Sequence, residues 1–318
     1  MRNPHLQTIL PRFFSRPNDF EPINETFELP DGDFVQLSWS EKPQANNSKP
    51  IVVIFHGLEG SIDSFYAKGM INAIKNNNWI GVLMHFRGCG SLINRHSRAY
   101  HSGETEDARC FIQSLHQQYP NSPLSAIGFS LGGNMLAKYL GEQGKNSLLD
   151  AAVVISAPLS LSPCAKRIGR RFSRVYQKYL LDMLKQTMTA KLKHLKGQFE
   201  LNITASDIAG LKTLKDFDEM ITGPLHGFSS AEDYYQKASG LPFLKAITTP
   251  TLIIHAADDP FMSHHVVPDA KDLSPAISYE LSKHGGHVGF IYGKHPLRPQ
   301  FWLEQRAPEF INTIWRAS

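Results

Sequence analysis

Short apolar runs recur along the chain and predict eight β-strands. From the third run onward they are mostly continuous rather than alternating, as in parallel strands that are covered on both faces. No helical pattern separates the first two runs, so these predict an antiparallel edge of the sheet. The predicted strands span residues 24–29, 34–39, 51–55, 81–86, 124–129, 151–155, 251–255 and 277–281.

Amphipathic stretches separate several of these runs and predict helices. They span residues 64–75, 104–118, 131–141 and 302–315. Strands and helices that alternate in this way predict a doubly wound, mostly parallel α/β sheet.

The alternation stops between residues 159 and 249, where the sequence contains no clear strand. Residues 171–195 predict a long amphipathic helix, and residues 217–220 and 231–238 predict shorter ones. A structureless loop of this length would be unusual, so we expect a helical insertion. The sequence thus predicts a core of residues 1–160 and 249–318 and a helical cap of residues 161–248. The predicted apolar face of the long helix contains Phe172, Val175, Tyr179, Met183 and Leu184.

The composition of this 318-residue chain is that of an ordinary globular protein, with 42% hydrophobic and 19% charged residues. No apolar run approaches the roughly 20 residues that span a bilayer, and the first residues lack the apolar core of a secretory signal. The three cysteines include no CxxC pair, which excludes a disulfide framework and an all-cysteine zinc site. These features predict a cytoplasmic protein.

The positive charge is concentrated in one segment. Residues 162–196 contain ten basic residues and one acidic residue, Asp182, so this segment carries +9 and the rest of the chain −5. The pattern fits either a solvated helix face or a surface that meets an anionic membrane or ligand. No nucleic-acid-binding motif accompanies the charge, so nucleic acid is not an expected partner.

A GxSxG motif supplies the candidate nucleophile. Ser130 lies between Gly128 and Gly132, after an apolar strand and before a helix, which is the context that a nucleophile elbow requires. Glycines are expected on either side because larger side chains would clash with the neighbouring backbone. The alternative is that Ser130 only caps the helix.

The candidate acid follows the predicted strand 251–255. Both Asp258 and Asp259 lie past the carboxyl end of this strand, where open α/β sheets place their active sites. Counting from Ala256, the small residue that closes the strand, favours Asp259. Asp258 remains an alternative.

The candidate base follows the last predicted strand. His287 comes after two glycines that would let the loop approach Ser130, whereas His284 is the alternative. The pair His264 and His265 is expected to face solvent. The spacing of these histidines and acids matches no metal-binding motif, so no metal or other cofactor is expected.

The loop after the strand 51–55 supplies a candidate oxyanion hole. In this kind of site one N–H comes from that loop and the other from the residue after the nucleophile, here Leu58 and Leu131. An ordinary turn at His56-Gly57 is the alternative. After the next strand, Arg87-Gly88-Cys89-Gly90 predicts a structural turn with an internally paired arginine and a buried thiol, and contact of Arg87 with substrate is the alternative.

Six segments together resemble the YheT-like branch of the α/β-hydrolase superfamily. They are NPHLQTILPRFF, HGLEGS, FRGCG, GFSLGGNM, AADDPF and HGGHVGF, and they extend over almost the whole chain. The resemblance implies an α/β-hydrolase fold and a Ser-His-Asp hydrolase of esters, with Ser130, Asp259 and His287 as the triad. Relatives include phospholipases and medium-chain acyl-ethanol transferases, which implies an acyl ester or thioester substrate.

The expected function is therefore hydrolysis of short- or medium-chain carboxylic esters through an acyl-enzyme. The alternatives are transfer of the acyl group to a small alcohol and lipase or phospholipase action on membrane lipid. A hydrolase-fold binding protein without turnover is a further alternative. The partner is a small acyl ester, with peripheral contact between the basic segment and an anionic membrane.

Overall fold

One eight-stranded sheet organises the fold of the computed structural model, which describes residues 2–14, 20–293 and 299–316. The strand order is β1-β2-β4-β3-β5-β6-β7-β8, with β1 and β2 antiparallel and the strands from β3 onward parallel to one another. The predicted α/β class and antiparallel edge are confirmed. The strands are β1 Ile23–Glu28, β2 Phe34–Trp39, β3 Ile51–Phe55, β4 Ile80–His85, β5 Leu124–Phe129, β6 Ala151–Ile155, β7 Thr251–Ala256 and β8 Ile277–Ser282; a small ribbon pairs β9 Ile291–Tyr292 with β10 Gln300–Phe301.

Helices cover both faces of this sheet. Helices α2 (Phe65–Asn76) and α11 (Leu303–Trp315) pack on one face, and α3 (Glu106–Gln118) and α4 (Leu131–Gln143) on the other. Strands β3 to β7 are buried throughout, because a helix layer lies on each side of them. The last strand, β8, is half exposed because it forms the edge of the sheet.

Between β6 and β7 the described chain is helical. The α-helices are α5 Leu161–Ile168, α6 Arg174–His194, α7 Ala205–Gly210, α8 Leu214–Phe217, α9 Gly223–Leu225 and α10 Ala231–Ala238. A π-helical turn, Asp218–Thr222, joins α8 to α9 where the sequence predicts an ordinary short helix. Two apolar clusters bury the inner faces of these helices.

The predicted apolar face of the long helix is wrong over the first half of that helix. Phe172, Val175 and Tyr179 are 47–58% exposed, whereas Tyr176 and Leu181 are buried. The helical period identifies more than one possible apolar stripe, and packing against the chain's first helix and the loop after β7 selects a different one.

The basic segment is also not one solvated surface. Lys191 is 2% exposed, and its ammonium donates to the backbone oxygen of Arg98. Lys185 donates to the backbone oxygens of Ala209 and Leu211. Part of the positive charge therefore joins segments within the cap or joins the cap to the core, and the exposed part lies mainly between residues 166 and 178.

Candidate active site

Ser130 occupies a strained turn between β5 and α4. Its φ is +51°, a conformation that is unfavourable for a residue with a side chain. A Cβ atom on Gly132 would lie 2.5 Å from the backbone oxygens of Phe55 and His56, and one on Gly128 would lie 2.5 Å from that of Gly132. Only glycine fits at these two positions without displacing backbone. The Ser130 side chain does not cap α4, so its hydroxyl is available for another partner.

That partner is His287. Its Nε2 atom lies 3.0 Å from the Ser130 Oγ atom, and its Nδ1 atom lies 2.8 Å from Oδ2 of Asp259. The second Asp259 oxygen accepts the N–H of Phe261, whose ring stacks on the His287 ring at 4.0 Å. The structure thus brings together the three residues predicted as a triad.

The alternative acid and base lie together, apart from Ser130. One Asp258 oxygen accepts the N–H groups of Gly285 and Gly286, each at 3.0 Å, and the other lies 3.2 Å from Nδ1 of His284. Asp258 therefore stabilises the loop that carries His287. His284 is exposed and contacts Asp258. His264 and His265 are both exposed, away from these contacts.

The chain's first helix, α1 (Pro4–Ile9), also holds this loop, which sequence reasoning missed. Thr8 Oγ1 accepts the N–H of His287 at 2.9 Å. The Gln7 side chain exchanges two hydrogen bonds with the backbone of Ile291. The segment NPHLQT is part of the family resemblance, but the sequence predicts no role for it.

Two backbone N–H groups, one directly after Ser130 and one directly after Gly57, which lies close to Ser130, have no acceptor among the described residues. They belong to Leu58 and Leu131, the predicted oxyanion-hole residues. The neighbouring Gly57 N–H is occupied, since it donates to the Tyr66 hydroxyl at 2.8 Å. Free donors near a nucleophile are suited to holding the negative oxygen of a tetrahedral intermediate.

His56 fixes the shape of this loop. Its Nε2 accepts the Phe86 N–H at 3.0 Å, so its Nδ1 carries the proton and donates to the Gly57 oxygen at 2.7 Å. Complete burial lowers the pKa of His56 to about 3, which keeps the ring neutral. The residue positions the loop and is not available as a base.

Arg87 is paired internally, as its turn predicts. Its guanidinium forms a two-point ion pair with Asp107, with both N–O distances at 2.7 Å, and also contacts Asp31 and Asp33. Burial raises the pKa of the nearby Cys89 thiol well above its usual value. Neither Arg87 nor Cys89 is placed to take part in catalysis.

The candidate triad opens into a cavity of about 420 Å³ between the core and the cap. Most of its wall is apolar. Asp218 in the π-helical turn is a polar exception, and its carboxylate accepts hydrogen bonds from Tyr235 and Thr222. Burial raises the pKa of Asp218 to about 6. Representative apolar lining residues are Leu58, Phe65, Leu131, Leu161, Leu184 and Met262.

One cluster in the described part of the chain has the composition of a metal site: His101, Glu104 and His226, with ligand atoms within 4.8 Å of one another. Two of the three are already engaged, because Nδ1 of His101 accepts the Gly103 N–H and Glu104 accepts a hydrogen bond from Arg98. The arrangement favours hydrogen bonding over metal binding.

Among the described helices, none is long and apolar enough to cross a membrane.

Comparison with known proteins identifies the family. Residues 50–294 match the family model described as alpha/beta hydrolase fold. The chain is 48% identical to YheT of Escherichia coli (strain K12), a candidate esterase, over 99% of this chain and 92% of that protein. It is 26% identical to phospholipase ABHD3 of Homo sapiens, over 97% of this chain and 76% of that protein.

A solved structure has the same fold. The esterase Pf2001 of Pyrococcus furiosus superposes with a TM-score of 0.59 and 17% identity, over 98% of this chain and 97% of that one. The chain is therefore a hydrolase of the α/β-hydrolase superfamily and belongs to its YheT-like branch.

Proposed function

We propose that this hydrolase is a serine esterase that cleaves carboxylic esters of short or medium acyl chains. The observation that carries the proposal is the unbroken hydrogen-bond chain from Ser130 through His287 to Asp259, whose first two members line an apolar cavity. A hydroxyl is a weak nucleophile until a base accepts its proton, and this geometry supplies that base.

In the proposed mechanism Ser130 Oγ attacks the ester carbonyl while His287 Nε2 takes the hydroxyl proton. The Leu58 and Leu131 N–H groups stabilise the negative oxygen that forms. His287 then gives its proton to the leaving alcohol as the C–O bond breaks, which leaves an acyl group on Ser130. A water molecule, deprotonated by His287, releases the acid. Asp259 fixes the histidine tautomer and stabilises its charged form.

The walls of the cavity favour an uncharged acyl chain. Side chains such as Leu161, Leu184 and Phe65 offer no hydrogen bond to a polar group, and burying an unpaired polar group there would be unfavourable. The three unpaired cysteines support the predicted cytoplasmic setting.

We propose in addition that the exposed basic residues between 166 and 178 contact anionic membrane. Five of them, Lys166, Arg170, Arg171, Arg174 and Lys178, are exposed, and this stretch contains no acidic residue. Binding that depends on these charges weakens as salt is added.

The decisive experiment combines a fluorophosphonate probe with hydrolysis of p-nitrophenyl butyrate. We expect wild type to be labelled and active, Ser130→Ala to lose both properties, and the exposed Ser48→Ala control to keep both. Equal labelling of Ser130→Ala and wild type would exclude Ser130 as the nucleophile. Product analysis with added ethanol separates the reactions, because a predominance of ethyl ester over free acid would identify an acyltransferase.

A further inference from the structure

Four large apolar side chains are exposed in two segments, one directly after the 3₁₀ turn Leu10–Arg12 and three at the start of the cap. They are Phe13, Phe172, Val175 and Tyr179, here called the apolar lip, and they are 47–76% exposed. Contacts join the two parts: the His5 ring lies 4.4 Å from that of Phe172, and the Arg12 guanidinium lies over the Tyr179 ring at 5.1 Å. A contiguous exposed apolar patch is typical of an interaction site.

The apolar lip is the mouth of the catalytic cavity. Phe13, Val175 and Tyr179 line the same cavity as Ser130 and His287. A continuous series of ring contacts leads inward from Phe172 to Tyr176, then to Phe261 and finally to His287, with centroid distances of 6.0, 4.8 and 4.0 Å. Whatever covers the lip therefore lies directly outside the site.

The charge around the lip indicates what covers it. Arg12 lies beside Tyr179, and Arg170, Arg171, Arg174 and Lys178 are exposed on the segment that carries Phe172 and Val175. The first acidic residue after them is Asp182, whose carboxylate is paired with Lys178. An apolar patch among cations matches a bilayer with anionic headgroups, in which apolar residues enter the acyl boundary while basic residues stay at the headgroups.

We propose that the apolar lip inserts into the surface of an anionic bilayer, so that the cavity mouth opens onto lipid and ester substrates enter from the membrane. The electrostatic contact proposed above would attract the protein, and the lip would supply the insertion. Only substrate entry rests on the proposed esterase activity. Binding to the bilayer does not.

The test is sedimentation with vesicles of phosphatidylglycerol and phosphatidylcholine, using Ser130→Ala protein so that binding is measured without turnover. We expect Phe13→Ser/Phe172→Ser/Val175→Ser to weaken vesicle binding about tenfold or more, because the inserted apolar area is lost. The control, Ile23→Ser/Leu92→Ser, removes two exposed apolar residues (45% and 51%) that lie outside the lip and should bind like the parent. Circular dichroism and thermal melting establish that each variant is folded.

A second pair of variants separates charge from insertion. Lys166→Gln/Arg170→Gln/Arg174→Gln should remove most of the salt-sensitive binding, whereas Lys145→Gln/Lys245→Gln/Lys283→Gln should not. Unchanged binding of the lip variant would overturn the proposal. So would a wild-type dimer that the lip substitutions dissociate, since a second copy would then cover the lip. Absence of esterase activity in wild-type protein that binds the vesicles would instead contradict the proposed function alone.

Discussion

The hydroxyl of Thr187, on the cap helix α6, donates a hydrogen bond to the carboxylate of Glu59, the residue that follows Leu58. The other Glu59 oxygen accepts the Tyr100 hydroxyl at 2.7 Å, and the Glu59 N–H donates back to that hydroxyl at 2.9 Å. Glu59 has a φ of +52°, and burial raises the pKa of its carboxyl. The cap thus holds the candidate oxyanion loop in a strained conformation.

We expect Thr187→Val to lower kcat about tenfold with little change in KM. Releasing Glu59 would let the Leu58 N–H move from the position where it meets the developing negative charge, and that interaction is specific to the transition state. Steady-state kinetics with p-nitrophenyl butyrate measure kcat and KM separately, and Thr189→Val on the same helix is the control. An increase in KM alone would mean that Thr187 contributes to substrate binding instead.

Changing Asp258 or Asp259 to asparagine should lower kcat by very different factors. Asp259→Asn removes the charge that orients His287 and should lower kcat by about 10⁴-fold. Asp258→Asn keeps a carbonyl oxygen for the Gly285 and Gly286 N–H groups and should cost less than about tenfold. Steady-state kinetics with p-nitrophenyl butyrate give kcat for both variants. The opposite ranking would make Asp258 the catalytic acid.

Gly132→Ala tests the steric requirement of the elbow. Its new methyl group would lie 2.5 Å from two backbone oxygens, so backbone must move, and we expect a loss of stability of more than about 2 kcal/mol together with loss of probe labelling. Gly210→Ala is a matched control, because a Cβ atom added there would meet no heavy atom within 4 Å among the described residues. Chemical denaturation of both variants measures the difference. A Gly132→Ala protein with wild-type stability and labelling would contradict the close-packed elbow.

The raised pKa of Asp218 predicts how the free energy of unfolding depends on pH. Burial raises its folded pKa to about 6, above the unfolded reference of 3.8, so the folded state binds this proton more tightly. The resulting stabilisation is fully present below pH 3.8 and is lost as the pH rises through about 6. Between about pH 4 and 7 the free energy of unfolding of wild type should fall by roughly 3 kcal/mol at most relative to that of Asp218→Asn.

Unfolding free energies of the two proteins, measured by denaturant titration at several pH values, give this difference directly. The exposed Glu232→Gln variant is the control, and its unfolding free energy should change with pH in the same way as that of wild type. A constant difference between wild type and Asp218→Asn across this range would mean that Asp218 titrates near its ordinary pKa.

The sequence by itself determined the sheet and the elbow. Continuous apolar runs such as 51–55 and 151–155 match the strands residue for residue, because burial on both faces leaves no polar position within them. The GxSxG motif between an apolar run and a helical pattern likewise predicted the turn at Ser130, and the close backbone approach in the structure explains its glycines.

Only the tertiary structure decided which neighbours meet. Asp258 and Asp259 are adjacent and chemically identical, and the turn after β7 directs one to the loop backbone and the other to His287. The exposure of Phe172 and Val175, the burial of Lys191 and the bond from Thr187 to Glu59 likewise depend on contacts between distant segments. Local patterns specify what a segment can bury, whereas the packing partners that select one face are set by the whole fold.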